Sequence, residues 1–554
     1  MAGDIVQIHW RSTPYAAKIF LRAQGTAENP VIVRGIPNAG GDLPILTAKD
    51  AITDAQFVDY FSALYTEDLA MFLIHRGPND SWATYKPKHI IFEYLEFIGT
   101  RPENTFTDQF GNIRNYSTFG TAICGIVCEN LTIRHCKIHD NSQGIFTNTN
   151  GATENSISRN LLIEYNEIWG NGNVGDDKHH NIYAQAAGTI IQYNRIGKLI
   201  AGALGSSLKD RSSGTVIRYN NIAASLRAID LVESEEGWQI LMQEPNYHNV
   251  YVYGNIITND LTSSPYSTSM IHFGGFSPVS AKRGTLFFYH NTVYIKGNES
   301  DTWHVKLFDV YDDNDLSTQE GSIEMYNNII RKDGTTHFKF MRYGGTLTYF
   351  PNNWFQDGYE DLHAGATATI IYNTPPLIGT NPGFVNEGSY DFTLVDNSPC
   401  IDQAISLTGI IPATYLPTMQ YDEPANGIPR TMGGSAFDLG ALENQDIIPD
   451  PNTPPTISSI DDQTINQDES LADLSFTISD NETVASDLTV SAVSSNLSLV
   501  LNSSITFGGS GANRTLSITP VAGQFGTTEI TVTVSDGTLT MSNNLYLNSL
   551  RANG

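Results

Sequence analysis

The chain has 554 residues, of which 40% are hydrophobic and 16% charged, and its net charge is −28. A surface this acidic repels nucleic acid and anionic membranes, which excludes both as partners, and it admits an acidic polymer only at a local basic site. No run of 18 apolar residues occurs, so no transmembrane helix is predicted.

The N-terminal residues, Met1–Gly3, precede a strand-like segment and carry no apolar core of a signal peptide. The domain types identified below are usually extracellular. Either the chain is cytoplasmic or a signal peptide has been removed, and because of these domain types we expect a secreted or cell-surface protein. A monomer is expected as well.

Four cysteines are present: Cys124, Cys128, Cys136 and Cys400. No CxxC pair occurs, which argues against a zinc site. Buried free thiols are predicted, with a Cys128–Cys136 bridge as the alternative.

A six-residue phrase recurs through the middle of the chain. It reads IEYNEI at 163–168, IQYNRI at 191–196 and IRYNNI at 217–222, and looser copies follow. Its fourth residue stands at positions 136, 166, 194, 220, 255, 291 and 327, so the steps are 30, 28, 26, 35, 36 and 36 residues. The apolar residues alternate with period two, which predicts stacked strand–turn–strand coils rather than helical repeats.

Asn suits the corner of such a coil because it tolerates a left-handed backbone and its amide can hydrogen-bond to the same side chain in the next coil. The flanking Ile, Val and Leu side chains are expected to point inward and to stack into one apolar column, which no single coil can bury alone.

With these phrases, residues 5–445 resemble the right-handed parallel β-helix proteins of the pectate-lyase-like superfamily. The stretch IVRGIPNAGGDLPIL (32–46) resembles the first coil of bacterial members. The segments NSPCIDQA (397–404), DEPANGIPR (422–430) and FDLGALE (437–443) resemble the closing coil of secreted members. The resemblance implies an all-β fold, with a right-handed parallel β-helix over residues 1–447.

The composition then changes. Residues 448–455 are a Pro-rich linker, and residues 456–540 alternate strictly between polar and apolar positions, as in LSFTISD and EITVTVSDG. They predict a small Ig-like or cadherin-like β-sandwich. Its Asp461-Asp462 and Asp480-Asn481 pairs are either calcium ligands or solvated turn residues. Residues 541–554 form a tail with no assigned role.

A site on the outer face of the β-helix should appear as polar residues at one register on successive coils, which lie about 4.8 Å apart. The inward anchors of the strands between the phrases are Ile145, Ile182, Leu208, Ile229, Ile271 and Leu307. The residues that follow them point outward and are Phe146, Tyr183, Lys209, Asp230, His272 and Phe308. Polar residues next to this column are His180, Asn181, Gln185, Arg211 and Lys306.

This set fits an enzyme that eliminates across a uronic-acid linkage. Such an enzyme neutralises a carboxylate, removes the C5 proton and protonates the leaving oxygen. Lys209 and Arg211 are suited to the carboxylate, Lys209 or a histidine to the proton, and Tyr183 to the leaving oxygen. Phe146 and Phe308 are suited to stacking on sugar rings, and the remaining polar residues to binding the substrate.

The segment SSLKDRSSGTVIRYNNI (206–222) resembles the catalytic-lysine coil of the alginate lyase and chondroitinase B family. The resemblance implies that Lys209 is the base. In that family an arginine on the next coil is the general acid. Arg227 is the nearest match to it, although its spacing from the lysine differs. The family also binds calcium near this lysine through acidic residues. This sequence has no convincing counterpart, so calcium stays a candidate cofactor without predicted ligands.

Several functions remain open at this point. The first is a lyase on an acidic polysaccharide such as alginate, or an epimerase that shares the first proton abstraction. The second is a glycoside hydrolase, which needs two carboxylates about 5–9.5 Å apart, such as Asp230 with Asp210, Glu233 or Asp309. The third is a non-catalytic glycan-binding or adhesive protein, in which Lys209 and Asp230 form only a surface ion pair.

Overall fold

In the computed structural model, the residues described are 2–53, 67–77, 79–261, 269–275, 277, 280, 284–297, 305–310, 321–333, 338–444, 453–481 and 483–551. The chain separates into two compact units, residues 1–447 and 448–554. Regular structure within the described ranges is almost entirely strand, and the α-helix found there is the short Trp238–Leu241. Short 3₁₀ turns lie at Glu67–Leu69, Glu154–Ser156, Glu387–Ser389, Ala413–Tyr415 and Asn502–Ser504.

Three long parallel sheets form the first unit, and each coil adds one strand to each sheet in turn. The first sheet contains Ile5–His9, Val31–Ile36, Lys88–Glu93, Glu129–Arg134, Arg159–Glu164, Ala187–Gln192, Ser213–Arg218, Asn249–Tyr253, Thr285–Tyr289, Ser322–Tyr326, Thr346–Tyr349 and Thr369–Tyr372. The second contains Tyr15–Ala16, Ile45–Thr47, Glu96–Ile98, Lys137–His139, Glu167–Trp169, Arg195–Ile196, Asn221–Ala223, Ile256–Asp260, Thr292–Lys296, Ile329–Asp333, Trp354–Gln356 and Leu377–Gly379.

The third sheet contains Ile19–Leu21, Ala70–Ile74, Thr121–Ile126, Gln143–Asn148, Ile182–Ala184, Ser206–Asp210, Arg227–Leu231, Ser269–Phe273, Val305–Val310, Phe338–Tyr343 and Tyr359–Leu362. Parallel strands joined by short corners, coil after coil, are the predicted parallel β-helix, for which a right-handed turn is the rule. A small side sheet is made by Ala51–Ile52, Thr105–Thr107 and Ile113–Asn115.

The interior of the β-helix is the predicted apolar stack. On the second sheet, Ile138, Ile168, Ile196 and Ile222 follow one another coil by coil, and all four are fully buried. Burying each such side chain contributes about 1.5–3 kcal/mol, but only when the next coil is in place. The coils therefore stabilise one another, as expected for a solenoid.

A ladder of buried asparagines runs along one corner, where each side-chain amide donates to the side-chain oxygen of the next. Its members are Asn166, Asn194, Asn220, Asn255, Asn291, Asn328 and Asn353, with N···O distances of 2.8–3.2 Å. The assignment of Asn327 to this ladder was wrong, because Asn327 lies one residue too early and contacts His290 instead.

The left-handed residue at this corner precedes the ladder asparagine, which corrects the expectation that the asparagine itself takes that conformation. Tyr165, Tyr193 and Tyr219 have φ between 55° and 57°. Their rings stack on one another, with centroids 4.8 and 5.4 Å apart. Because the tyrosine takes the left-handed conformation, the asparagine side chain lies inside the coil. There its amide makes hydrogen bonds within the protein in place of those it would make with water.

The end of the first unit returns along the outside of the β-helix. Its strands are Phe384–Asn386, Asp391–Leu394, Met419–Asp422 and Asn426–Pro429. The backbone N–H of Thr418 donates to the Tyr219 hydroxyl at 3.0 Å, and the Tyr289 hydroxyl donates to the Tyr415 carbonyl at 2.6 Å. This segment covers the corner that carries the stacked tyrosines.

The second unit is a sandwich of two four-stranded sheets. One contains Thr456–Ile457, Leu471–Ser479, Asn513–Ile518 and Ile505–Ser510, and the other contains Gln463–Asn466, Thr540–Leu550, Gly526–Ser535 and Thr489–Ser494. Residues 541–550, part of the segment expected to be a tail, supply most of the last strand, and their apolar residues Leu545 and Leu547 enter the core. The predicted linker, 448–455, lies outside the described residues except for 453–455.

All four cysteines are free and buried, as predicted. Burial raises the pKa of the Cys124, Cys136 and Cys400 thiols to about 12. Within the described ranges, no helix is long and apolar enough to cross a membrane. Among the same residues, no three His, Cys, Asp or Glu side chains come together as a metal site.

Candidate active site on the third sheet

Six outward side chains follow one another along the third sheet, and they are called here the third-sheet column: Phe146, Tyr183, Lys209, Asp230, His272 and Asp309. Parallel pairing aligns Tyr183 with Lys209, Lys209 with Asp230, and Asp230 with His272. Phe146 pairs with Tyr183 in the same way. These pairings confirm the predicted register from Ile145 to Ile271.

The register predicted at the next coil was wrong by one residue. Phe308 pairs with Ile271 and is fully buried, packed edge-on against Phe288 with centroids 5.4 Å apart. Phe308 is therefore part of the core and cannot stack on a sugar. Asp309 takes the outward place, opposite His272.

The slip arises because two consecutive residues near the start of each of these strands are buried. Ala228 with Ile229, and Met270 with Ile271, are both fully buried pairs. Leu307 and Phe308 repeat this pattern, so Leu307 is the first of the two inward residues and not the anchor. The sequence signal was present in the earlier apolar pairs and would have exposed Asp309.

Asp230 is the centre of the column and bridges two neighbours. Its Oδ1 lies 2.7 Å from Nδ1 of His272, and its Oδ2 lies 3.5 Å from Nζ of Lys209. Burial opposes its charge, but the hydrogen bond with His272 and the positive charges of Lys209 and Arg227 outweigh burial and hold the pKa of Asp230 far below its ordinary value. Asp230 is thus a carboxylate that orients both a lysine and an imidazole.

Tyr183 is the first polar residue of the column and stands between Phe146 and Lys209. Burial raises the pKa of its phenol well above the ordinary value, so Tyr183 stays protonated. Its hydroxyl donates to Oε2 of Glu235 at 3.3 Å, and its ring lies against Phe146 with centroids 4.9 Å apart. The cations of Lys209 and Arg211 lie 6.0 and 5.8 Å from the ring centre. Tyr183 can therefore donate a proton next to two positive charges.

Arg211 is held by the segment that follows Leu231. Nη1 donates to the Glu233 carbonyl at 2.6 Å, and Nη2 lies 2.8 Å from Oε1 of Glu235. Gln185 is fully buried under the same segment and donates to Thr149 Oγ1 at 2.8 Å and to the Glu236 carbonyl. Arg211 and Gln185 thus fix the wall beside Tyr183, and Gln185 is not open to a ligand.

A second group of cations surrounds Asp309. Its Oδ2 lies 3.8 Å from the guanidinium nitrogens of both Arg227 and Arg342. Lys306 and Lys339 pair on adjacent strands, and Lys339 Nζ lies 2.9 Å from Oε2 of Glu360. Burial, followed by the charges of Arg342 and Lys339, lowers the pKa of Lys306. Arg342 and Lys339 were not predicted from the sequence because their strand lies beyond the slip in register, and Asp309 was predicted only as a possible hydrolase carboxylate.

His180 and Asn181 are interior residues. Asn181 is fully buried and joins a second amide row, in which it accepts from Asn171 at 2.9 Å and donates to the Gly197 carbonyl at 2.8 Å. The His180 Nδ1 accepts from the Ser206 N–H at 3.0 Å, and burial lowers the pKa of His180 to about 3. The prediction that these two residues bind substrate is therefore wrong, because both side chains are buried inside the coil.

Other candidates fall outside the column or at its apolar end. Asp210, one of the possible hydrolase carboxylates, is fully buried and accepts from the Thr215 hydroxyl at 2.6 Å, so it is structural. Phe146 packs with Cys124, Leu73 and Phe20 in an apolar patch on the coils below Tyr183. The outer face of the third sheet is therefore apolar on the coils that precede Tyr183 in the chain and charged on the coils from Lys209 onward.

Comparison with known proteins identifies only the C-terminal module. Residues 452–545 match the family model of a bacterial Ig domain. No curated protein matches the chain.

Two solved structures show a weak likeness. One is DFA-IIIase from Arthrobacter chlorophenolicus A6 without its lid, with 10% identity and a TM-score of 0.24, covering 68% of this chain and 81% of that one. The other is a mutant of the same enzyme in complex with DFA-III, with 10% identity and a TM-score of 0.26, covering 72% and 81%. Scores this low carry no information on the activity of this chain.

Proposed function

We propose that this protein is a secreted or cell-surface enzyme that cleaves an acidic polysaccharide, such as alginate, by β-elimination at the third-sheet column. The observation that carries the proposal is the arrangement of Tyr183, Lys209, Asp230 and His272 on four successive strands of one outer face. Lys209 and Arg227 are partly exposed cations at this face, on a chain whose net charge is −28. A local positive site is what lets so acidic a protein accept a polyanion.

The roles follow from the contacts. Lys209 and Arg227 bind the uronate carboxylate and stabilise the negative charge that develops when the C5–H bond breaks. His272, oriented through Nδ1 by Asp230, takes the C5 proton. Tyr183 gives its proton to the leaving O4 as the C4–O4 bond breaks and the C4–C5 double bond forms. The proton lost from C5 and the proton gained by O4 balance, and no redox partner is needed.

A hydrolase is the second candidate, and one observation favours it. Asp230 and Asp309 stand two coils apart in the column, which is about 9.6 Å between backbones and close to the spacing of inverting enzymes. A hydrolase also needs one carboxylic acid kept protonated by apolar surroundings. Both carboxylates contact cations instead, so elimination with Tyr183 as the proton donor fits the site better.

The test is a substrate panel of alginate, pectate, ulvan and glycosaminoglycans. We expect ultraviolet absorbance from an unsaturated uronate with at least one of them, and its loss in Lys209→Ala with the fold intact by circular dichroism. The matched control is Lys137→Ala, which removes an outward lysine of the second sheet that lies 3.8 Å from Glu167. New reducing ends without unsaturation would refute elimination, and full activity of Lys209→Ala would refute the site.

A further inference from the structure

A second groove lies on the outer face of the second sheet, where the returning segment of the first unit passes over it. Its volume is about 1020 Å³, and its lining comes from the second-sheet coils on one side and from residues 389–393, 420–423, 428, 442 and 443 on the other. None of its residues belongs to the third-sheet column. A cavity of this size is large enough for a small organic ligand.

The floor of the groove begins with an exposed tryptophan. Trp169 is 37% exposed, and its indole lies on the ring of His139 with centroids 4.2 Å apart and planes 16° apart. His139 is fixed at both nitrogens, by Asp140 at 2.8 Å and Glu96 at 3.3 Å. The indole therefore rests on a rigid support and presents its other surface outward.

Small residues keep the floor open beyond the tryptophan. Gly197, Ala223 and Thr258 continue the outward position of Trp169 on the next three coils, a length of about 14 Å. A Cβ at position 197 would stand 2.7 Å from Trp169 Cβ, so a side chain there would collide with the tryptophan. The result is an elongated trough that starts at an aromatic surface.

Polar groups of both signs border this trough. Arg195 lies 3.6 Å from Glu167 and 3.9 Å from Glu423, and the Tyr390 hydroxyl donates to Asp260 at 3.3 Å. Hydroxyl groups of a sugar both donate and accept, so they can bind to such a mixed border. Acidic side chains are in excess, with Glu167, Asp260, Asp391, Asp422, Glu423 and Glu443 against Arg195 and Lys198.

We propose that this groove binds a neutral oligosaccharide, with one sugar ring stacked on Trp169. An aromatic surface binds the C–H face of a sugar ring, and the three-coil length suits a short chain rather than a single ring. The excess of carboxylates repels a polyuronate, so the ligand differs in charge from the acidic polymer proposed for the third sheet. The inference does not rest on the proposed elimination reaction.

The experiment is calorimetric titration of the full chain with cellohexaose, mannohexaose and xylohexaose. We expect one of these neutral sugars to bind, with affinity reduced at least about tenfold in Trp169→Ala. Ala223→Phe, which fills the floor without touching the tryptophan support, is expected to reduce it as strongly. Trp10→Ala is the matched control, because Trp10 is also 37% exposed and lies outside the groove.

The outcomes separate cleanly. Absence of binding by all three sugars, or equal affinity of the wild type and both groove variants, overturns the proposal. Binding of a hexauronate, but of none of the neutral sugars, at a site sensitive to Trp169→Ala also overturns it. Because Lys209→Ala leaves the groove intact, that variant should bind the neutral sugar as the wild type does whether or not the elimination reaction is correct.

Discussion

Replacement of Asp230 by asparagine tests how the third-sheet column works. The change removes one charge but keeps the shape of the side chain. Breaking a buried ion pair by removing one partner costs about 3–5 kcal/mol. Lys209 retains 16% side-chain exposure and can be solvated, so we expect the lower end, about 3 kcal/mol in the free energy of unfolding. The activity should also fall, by roughly 10²–10⁴-fold in kcat, because His272 loses the carboxylate that orients it.

The pH dependence of this stability difference follows from the lowered pKa of Asp230. A carboxylate with a depressed folded-state pKa stabilises the protein above its unfolded-state pKa, about 3.9, and loses that effect as the pH falls through the folded-state value. The stability gap between wild type and Asp230→Asn should therefore be constant from about pH 8 to pH 5 and narrow only below about pH 4.

Urea unfolding at several pH values measures the gap, and initial rates on the cleaved polysaccharide measure the activity. Asp357→Asn is the control, because it makes the same chemical change at an exposed residue and should alter stability by less than about 0.5 kcal/mol. Wild-type activity in Asp230→Asn, or an unchanged free energy of unfolding at neutral pH, would refute the reasoning.

Three further predictions concern the ladder, the proton donor and the thiols. Asn220→Ala should lower the free energy of unfolding by about 3–5 kcal/mol in urea, because Asn220 hydrogen-bonds to Asn194 and Asn255 within the coil stack. Asn221→Ala, at the partly exposed next residue, should lower it by less than about 1 kcal/mol. Equal losses in the two variants would contradict the ladder. Tyr183→Phe should lower kcat at least about tenfold with little change in KM, and an unchanged kcat would show that its hydroxyl is not the acid. Reducing agent should leave the melting temperature unchanged, since the cysteines are free.

Much of the fold could be predicted from the repeated phrase alone. An asparagine that recurs between inward-pointing aliphatic residues has few structural explanations, and the ladder follows its positions as far as Asn291. The exchange between Asn327 and Asn328 shows the limit, since two adjacent asparagines satisfy the same pattern. The hydrogen bonds of Asn328 with Asn291 and Asn353 decide between them.

The candidate site was predicted in the correct register up to His272, and the next position was assigned one residue too early. Alternation has a period of two, so taking Leu307 instead of Phe308 as the inward anchor assigns every later side chain of that strand to the wrong face. The burial of His180 and Gln185 could not be predicted from the sequence either, because it depends on segments from other coils. The groove beside Trp169 depends in turn on a segment more than two hundred residues later in the chain.

The most direct test of the central claim is a crystal structure of Lys209→Ala soaked with a hexamer of the polysaccharide that the wild type cleaves. We predict sugar density along the third sheet, with one uronate carboxylate beside Arg227 and its C5 facing His272. Density confined to another surface, or a sugar that leaves Tyr183 and His272 untouched, would contradict the claim.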